Sequence, residues 1–181
     1  MRYRSAVLTA VAIACAAGLV SARQADGMKA TADIKGDGIS GTLTLVERKM
    51  GTGTVVDLTL TAKGLKPGLH GVHLHAVGKC EPDFTAAGGH FDPGPFGNTD
   101  PDANHPFHMG DVPNLEVGAD GTGTLKAVTT RVTLSPGPLS VFDDDGTAVI
   151  IHGNPDQGKT GEPKSGVSGG PRVACGVITK Q

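Results

Sequence analysis

His73 and His75 stand two residues apart in Val72-His73-Leu74-His75, an apolar and strand-like stretch. In an extended chain residues i and i+2 share a face, so both imidazoles project the same way and can reach one metal ion. A second group is His105-Pro106-Phe107-His108-Met109-Gly110-Asp111, with two imidazoles and a carboxylate in one short loop segment. Zinc prefers four nitrogen, sulfur or carboxylate ligands in a tetrahedron, so this group needs one more donor. His90 sits alone in Gly88-Gly89-His90-Phe91-Asp92-Pro93, and His152 ends the apolar run Ala148-Val149-Ile150-Ile151. Taken singly, each fragment also fits a bland role. Paired strand histidines are often just hydrogen-bonded, loop histidines solvated, and an aspartate such as Asp111 can cap a turn. Their co-occurrence in one small chain is the signal, and the chemistry it points to is metal ligation.

The elements that must position these donors read as short strands. Ile39, Gly41, Leu43 and Leu45 alternate with Ser40, Thr42 and Thr44, and Val55-Val56-Asp57-Leu58-Thr59-Leu60 repeats the pattern. Gly71 to Ala76, Gly123 to Leu134 (whole or with a break), Ala148 to His152 and Arg172 to Ile178 are further candidates, β-branched and bounded by Gly, Pro, Asn or Asp. Asp120-Gly121 between two such runs predicts a hairpin. No amphipathic helix is evident. Two stretches lack a strand period: Gly78 to Pro113, rich in Gly, Pro, Asp and His, and Gly153 to Pro171, rich in Gly and Lys. Loops longer than about 15 residues inside a compact domain are usually functional or disordered. The expected fold is all-β, a Greek-key barrel or sandwich of about eight antiparallel strands with two long functional loops.

Composition narrows the class. The chain has 181 residues, enough for one domain with a real core. Aromatic residues make up only 3% and Trp is absent, so Val, Leu, Ile and Ala must build that core. A net charge of -2 gives no reason to expect nucleic acid or an anionic membrane as partner. Arg2 and Arg4, the apolar run Ala6 to Val20 and Val20-Ser21-Ala22 have the form of an export signal over residues 1–22. The run is short for a membrane span of about 20 apolar residues. Its removal takes away two arginines and moves the net charge from -2 to -4. Residues 23–30 read as a flexible tail and residues 31–181 as the domain. Of the three cysteines, cleavage removes Cys15 and leaves Cys80 and Cys175, a pair that an oxidising compartment would bridge. A second reading treats Ala12-Ile13-Ala14-Cys15 as a bacterial lipoprotein box, with a lipid anchor at Cys15. Both readings take the protein out of the cytoplasm, to the periplasm or beyond.

Five segments in chain order carry a family resemblance. They are Gly68-Leu69-His70-Gly71-Val72-His73-Leu74-His75, Gly89-His90-Phe91-Asp92-Pro93, His108-Met109-Gly110-Asp111, Ile151-His152 and Arg172-Val173-Ala174-Cys175-Gly176-Val177-Ile178. Together they resemble the successive signatures of copper/zinc superoxide dismutases of the exported bacterial type. The resemblance implies copper on His73, His75, His90 and His152, and zinc on His90, His105, His108 and Asp111, with His90 shared as an imidazolate. It implies that Asp156 joins one ligand of each metal, that His70 braces loops without binding metal, and that Cys80 and Cys175 form a disulfide. Arg172 would stand at the mouth of the copper site to attract superoxide, and His90 and Arg172 would be the catalytic pair. The implied partner is superoxide alone, with no nucleic acid and no membrane span; a homodimer is compatible with the family.

Three features depart from the family pattern. His90 and His105 are fifteen residues apart, where the family often has about eight. A threonine common near the anion channel is missing, with Ser165 and Ser168 as substitutes. Lys159, Glu162 and Lys164 could shape the local field or be ordinary solvated charges. Two other classes compete, a metal store or carrier without turnover and an adhesion sandwich. The full histidine set and Arg172 weigh against both.

Overall fold

The computed structural model describes residues 27–94 and 97–181. The proposed export signal and lipid-box cysteine lie outside the described residues. No described helix is long and apolar enough to cross a membrane. Ten strands make one sheet: β1 Lys29–Gly36, β2 Ser40–Met50, β3 Gly53–Lys63, β4 Gly68–His70, β5 Val72–His75, β6 Leu115–Val117, β7 Thr122–Thr129, β8 Ala148–His152, β9 Arg172–Val177 and β10 Thr179–Lys180. A single 3-10 turn, Phe84–Ala87, is the only helix among the described residues.

The alternation seen in the sequence becomes an inside and an outside. Leu43 and Leu45 of β2 and Val56, Leu58, Leu60 and Ala62 of β3 face one apolar core, and the threonines between them face out. The spatial order is β4-β6-β7-β3-β2-β1-β9-β8-β5, with β10 on β1. All strand pairs are antiparallel. The two ends of this strip, β4 and β5, are separated in sequence by Gly71 alone, so the strip must curl into a barrel. At the Gly71 joint the β5–β8 ladder continues: His152 N–H donates to the Gly71 carbonyl at 2.8 Å, and Gly71 N–H to the Asn154 carbonyl at 2.9 Å. The predicted hairpin joins β6 and β7, with Gly121 at φ +76°.

Two sequence expectations are corrected. The tail assigned to residues 23–30 ends earlier, because β1 starts at Lys29 and Ala30 is fully buried against the core. Of the two readings of Gly123 to Leu134, the unbroken strand fails: the strand stops at Thr129. Val132 and Leu134 are buried from a loop, where Glu47 accepts hydrogen bonds from Leu134 N–H at 2.6 Å and Ser135 N–H at 2.9 Å. Apolar periodicity thus runs past the strand because a loop also contributes to the core.

Strands β5 and β8 are buried on both faces. Val72, Leu74, Val149 and Ile151 point into the barrel core. Ala148 and Ile150 point outward, beneath Ala87, Phe84, Cys80 and Cys175. His73 and His75 alternate with Val72 and Leu74, so they sit on that outer face, roofed by the long loops. The loop after β5 returns to pair with the free edge of β5. Leu74 N–H donates to the Gly110 carbonyl at 2.9 Å, and Phe91 N–H to the Leu74 carbonyl at 2.8 Å. Gly110 is required at this crossing, since a Cβ there would lie 2.3 Å from the Leu74 carbonyl oxygen.

Cys80 and Cys175 are bridged, with Cα atoms 5.8 Å apart, across a sequence separation of 95 residues. The bridge ties the loop after β5 to β9. Closing a loop of this length stabilises by roughly 4–5 kcal/mol on chain-entropy grounds, and measured values often fall lower. Cys175→Ser should therefore cost about 2 kcal/mol or more in denaturant unfolding. An unchanged stability, or a free thiol at Cys80 in the native protein, would contradict this.

Candidate metal centre

Six histidines and Asp111 meet on the outer wall of the barrel. The strands β5 and β8 deliver His73, His75 and His152, and the loop after β5 delivers His90, His105, His108 and Asp111. All six histidines are buried, at 2% exposure or less. Isolated bridges fasten the loop donors to the strand donors, His75 to His90 and His73 to Asp111. Donor atoms of His73, His75, His90 and His152 all lie within 4.8 Å of one another, as do those of His73, His90, His105 and Asp111. His108 joins the second set through Nδ1, 3.0 Å from Asp111 Oδ2.

The second nitrogen of each strand histidine is pinned. His73 Nε2 is 3.0 Å from Asp156 Oδ2, His75 Nδ1 is 3.0 Å from the Gly88 carbonyl, and His152 Nδ1 is 3.0 Å from the Gly170 carbonyl. Each acceptor fixes a ring proton on that nitrogen, so the opposite nitrogen carries a lone pair. Those opposite nitrogens, His73 Nδ1, His75 Nε2 and His152 Nε2, are buried without any partner, and His90 Nε2 joins them. Unpaired buried acceptors are costly, about 1–3 kcal/mol each. Four aimed at one place are what a tightly held metal ion requires, so the residues present fit such an ion.

The second set fits as well. Asp111 lies 2.8 Å from His90 Nδ1, 3.0 Å from His108 Nδ1 and 3.3 Å from His105 Nδ1. Zinc–ligand bonds of about 2.0–2.1 Å in a tetrahedron place donor atoms about 3.3 Å apart. His90 is the one ring whose Nε2 faces the first set while its Nδ1 faces the second. His105 reaches this cluster despite its unusual spacing from His90, and its Nε2 lies 2.6 Å from Asp156 Oδ1. Asp156 therefore touches His73 and His105 at once. His70 has both ring nitrogens turned to carbonyls, those of His152 and Lys66, and offers nothing to a metal.

Arg172 donates to the Phe84 carbonyl and to the Gly88 carbonyl, both at 2.6 Å. It shares a cleft with His152, Lys164, Ser168 and Gly170. Lys159, Glu162 and Ser165 are exposed on the same loop and do not line that cleft. Two functional contacts escaped the sequence reading. Asn114 clamps Asp156 by accepting from its N–H and donating to its carbonyl, each at 2.9 Å. Asp102 ties the two long loops together, and as one more Asp in a Pro-rich turn it carries no pattern that would single it out.

Burial sets the charge states. It pushes His90 and His152 down to about 3, outweighing the Asp111 contact at His90, and it also lowers His73 and His75. These rings stay neutral, which leaves their lone pairs available. His105 is different. Burial pulls it down, but the Asp111 and Asp156 carboxylates on either side outweigh this and raise it to about 9. Burial alone would raise Asp111 and Asp156, yet the histidine contacts hold both well below the usual carboxylate range.

The metal-free protein should be most stable near pH 6.5. Below about 6.5 the unfolded chain takes up protons that native His90 and His152 refuse, so stability falls toward pH 3. Above about 6.5 native His105 holds a proton that the unfolded chain releases, so stability falls again through pH 9. Urea unfolding of chelator-treated protein at about pH 5, 6.5 and 8.5 checks this, and a flat profile contradicts it. Zinc binding near pH 7.5 should release about one proton per chain, readable by calorimetry in two buffers.

Known proteins place the site in a family. The family model described as copper/zinc superoxide dismutase matches residues 39–178. Superoxide dismutase (Cu-Zn) 2 of Brassica juncea is 42% identical over 149 residues, covering 80% of this chain and 92% of that protein. Superoxide dismutase (Cu-Zn) of Caulobacter vibrioides is 41% identical over 157 residues, covering 82% and 84%. Among solved structures, the clock protein EA4 superposes with a TM-score of 0.68 at 25% identity, covering 86% of this chain and 96% of that one. A match that runs from β2 through β9 and takes in both long loops, at this identity, leaves one conclusion: the chain belongs to the copper/zinc superoxide dismutase family, whose reaction is the dismutation of superoxide and whose cofactors are copper and zinc.

Proposed function

We propose that copper is held by His73, His75, His90 and His152, that zinc is held by His90, His105, His108 and Asp111, and that His90 is common to both. The observation that carries this assignment is the pair of convergences about His90: the buried, partnerless nitrogens of His73, His75 and His152 with His90 Nε2 on one side, and His90, His105 and His108 Nδ1 within 3.3 Å of the Asp111 carboxylate on the other. Copper, when bound, would supply a one-electron couple, while zinc has no redox chemistry. One superoxide gives up its electron and leaves as oxygen; the second accepts it with two protons and leaves as hydrogen peroxide.

The residues of the chain divide the remaining work. His90 Nε2 is the atom placed to hold a proton and pass it to the product, because its Nδ1 stays engaged at Asp111. Asp156 holds the rings of His73 and His105 in register, so that motion on one side is felt on the other. Arg172 spends two donors on backbone carbonyls, which fixes its guanidinium at the cleft and leaves further N–H groups for a small anion. Lys164 adds positive charge to the same cleft, whose lining also holds Asp100 and Asp102, the latter's carboxylate already spent on the Gly166 and Ser168 donors.

The work is proposed to take place outside the cytoplasm. A disulfide across the functional loop suits an oxidising compartment, and the apolar run at residues 6–20 suits export.

Purified protein should contain one copper and one zinc per chain and dismute superoxide. Full activity after copper removal would sink the assignment. Arg172→Glu should keep both metals and lose about tenfold or more in rate. Added salt should slow the wild type, since screening limits the reach of the cleft's field to about 8 Å at physiological ionic strength. The variant should lose or invert that dependence. Wild-type rate and salt response in Arg172→Glu would show that the steering charge lies elsewhere, with Lys164 the first candidate.

A further inference from the structure

Two buried carboxylates are left over when the metal ligands and Asp156 are assigned: Glu47, which takes the Leu134 and Ser135 amides, and Asp102. Asp102 lies three residues before His105 and is only 4% exposed. Its Oδ2 accepts from Gly166 N–H at 2.9 Å, and its Oδ1 accepts from Ser168 N–H at 3.1 Å and from the Ser168 hydroxyl at 2.9 Å. Its own backbone carbonyl accepts from Gly161 N–H at 2.9 Å. Hydrogen bonds to a charged acceptor are about twice as strong as neutral ones, and both carboxylate oxygens are used here. Burial works against the charge, but these donors hold the carboxyl below its ordinary range.

The clamped segment leads directly into the copper side of the cleft. Ser168 is followed by Gly169 at φ +111° and Gly170 at φ +63°. Glycine adopts such angles freely and equally leaves them freely, so this stretch does not hold its own path. A Cβ on Gly169 would lie 2.7 Å from His152 Cβ, which shows how closely the segment passes that ring. Gly170 then offers the carbonyl that takes the His152 Nδ1 proton, and Arg172 follows. Asp102, His152, Ser168, Gly170 and Arg172 line one cleft.

We propose that Asp102 is a positioning residue for the proposed copper side: by clamping Gly166 and Ser168 it sets the Gly170 carbonyl that orients His152 and holds the wall beside Arg172. The proposal rests on the ligand assignment above. It also explains how the loop carrying His105 and the loop after β8 can act as one unit, since a second tie runs from the Thr160 hydroxyl to the His105 carbonyl at 2.6 Å.

The test uses the full chain with Asp102→Ala and Asp102→Asn, the latter keeping the volume but offering one acceptor oxygen in place of two. The first readout needs no metal. In chelator-treated protein the Gly166 and Ser168 amides should exchange hydrogen about tenfold or more faster in Asp102→Ala than in the wild type, with Asp102→Asn between. Amides of β2 and β3 should be unchanged, which separates loss of the clamp from loss of the fold. The second readout is the electron paramagnetic resonance spectrum of the copper-loaded proteins, which reports ligand geometry. It should shift in Asp102→Ala, and the rate should fall about tenfold. Should Asp102→Ala leave β2 and β3 unprotected, Asp102→Asn carries both readouts. Wild-type exchange at Gly166 and Ser168, or a wild-type copper spectrum in both variants, overturns the proposal. A wild-type protein that binds copper without dismuting superoxide overturns the functional reading instead, and the exchange and spectrum still judge the clamp.

Discussion

Six imidazoles each keep one ring nitrogen buried and without a partner. The rest of the structure is organised around tolerating that. Each such nitrogen is desolvated at a cost of about 1–3 kcal/mol, against a total stability of only about 5–15 kcal/mol for a typical domain. The donors therefore need a support that does not collapse around them. A closed barrel provides one. His73, His75 and His152 stand on strands whose opposite faces are locked in the apolar core through Val72, Leu74, Val149 and Ile151. Rotation of a ring toward a protein partner would break either that packing or the hydrogen bond that pins its second nitrogen.

The long loops serve the same constraint. They have no regular pairing of their own, so their backbone groups are satisfied on the barrel: Phe91 and Gly110 bond to Leu74 on the edge of β5, Gly89 to Ala76 just beyond it, and Asn154 to Gly71 at the joint between β4 and β5. The disulfide anchors the early part of the first loop near Gly88, the residue whose carbonyl serves both His75 and Arg172. Asp156 and Asp102 tie the second loop to the first. Electrostatics then follow from burial. Neutral rings on the strand side and a protonated His105 wedged between two carboxylates give the two halves of the centre opposite proton demands before any metal binds.

Much of this was legible in the sequence, for identifiable reasons. Period-2 alternation in Ile39 to Leu45 and Val55 to Leu60 reports a sheet with one buried face, and the sheet has one. The histidine segments drew attention because ligand chemistry restricts residue type and because strand geometry makes His-x-His a pair. What stayed hidden has physical causes too. Strand β1 alternates Ala30, Ala32 and Ile34, and two alanines make a faint apolar stripe. Val132 and Leu134 extended a strand pattern although only their side chains, not their backbone, belong to the core. The gap of fifteen residues between His90 and His105 measures chain length and not distance; a loop can lengthen while its end returns to the same place. Asp102 and Asn114 act through single contacts far along the chain, and no local spacing encodes such contacts.

The central claim is that His90 stands between two different metals, with three strand histidines on one side and His105, His108 and Asp111 on the other. Anomalous diffraction from metal-loaded crystals, collected at the copper and zinc absorption edges, tests it most directly. The account predicts two peaks flanking the His90 ring, the copper peak beside His73, His75 and His152 and the zinc peak beside Asp111. A single peak, or copper on the Asp111 side with the strand histidines empty, would contradict it.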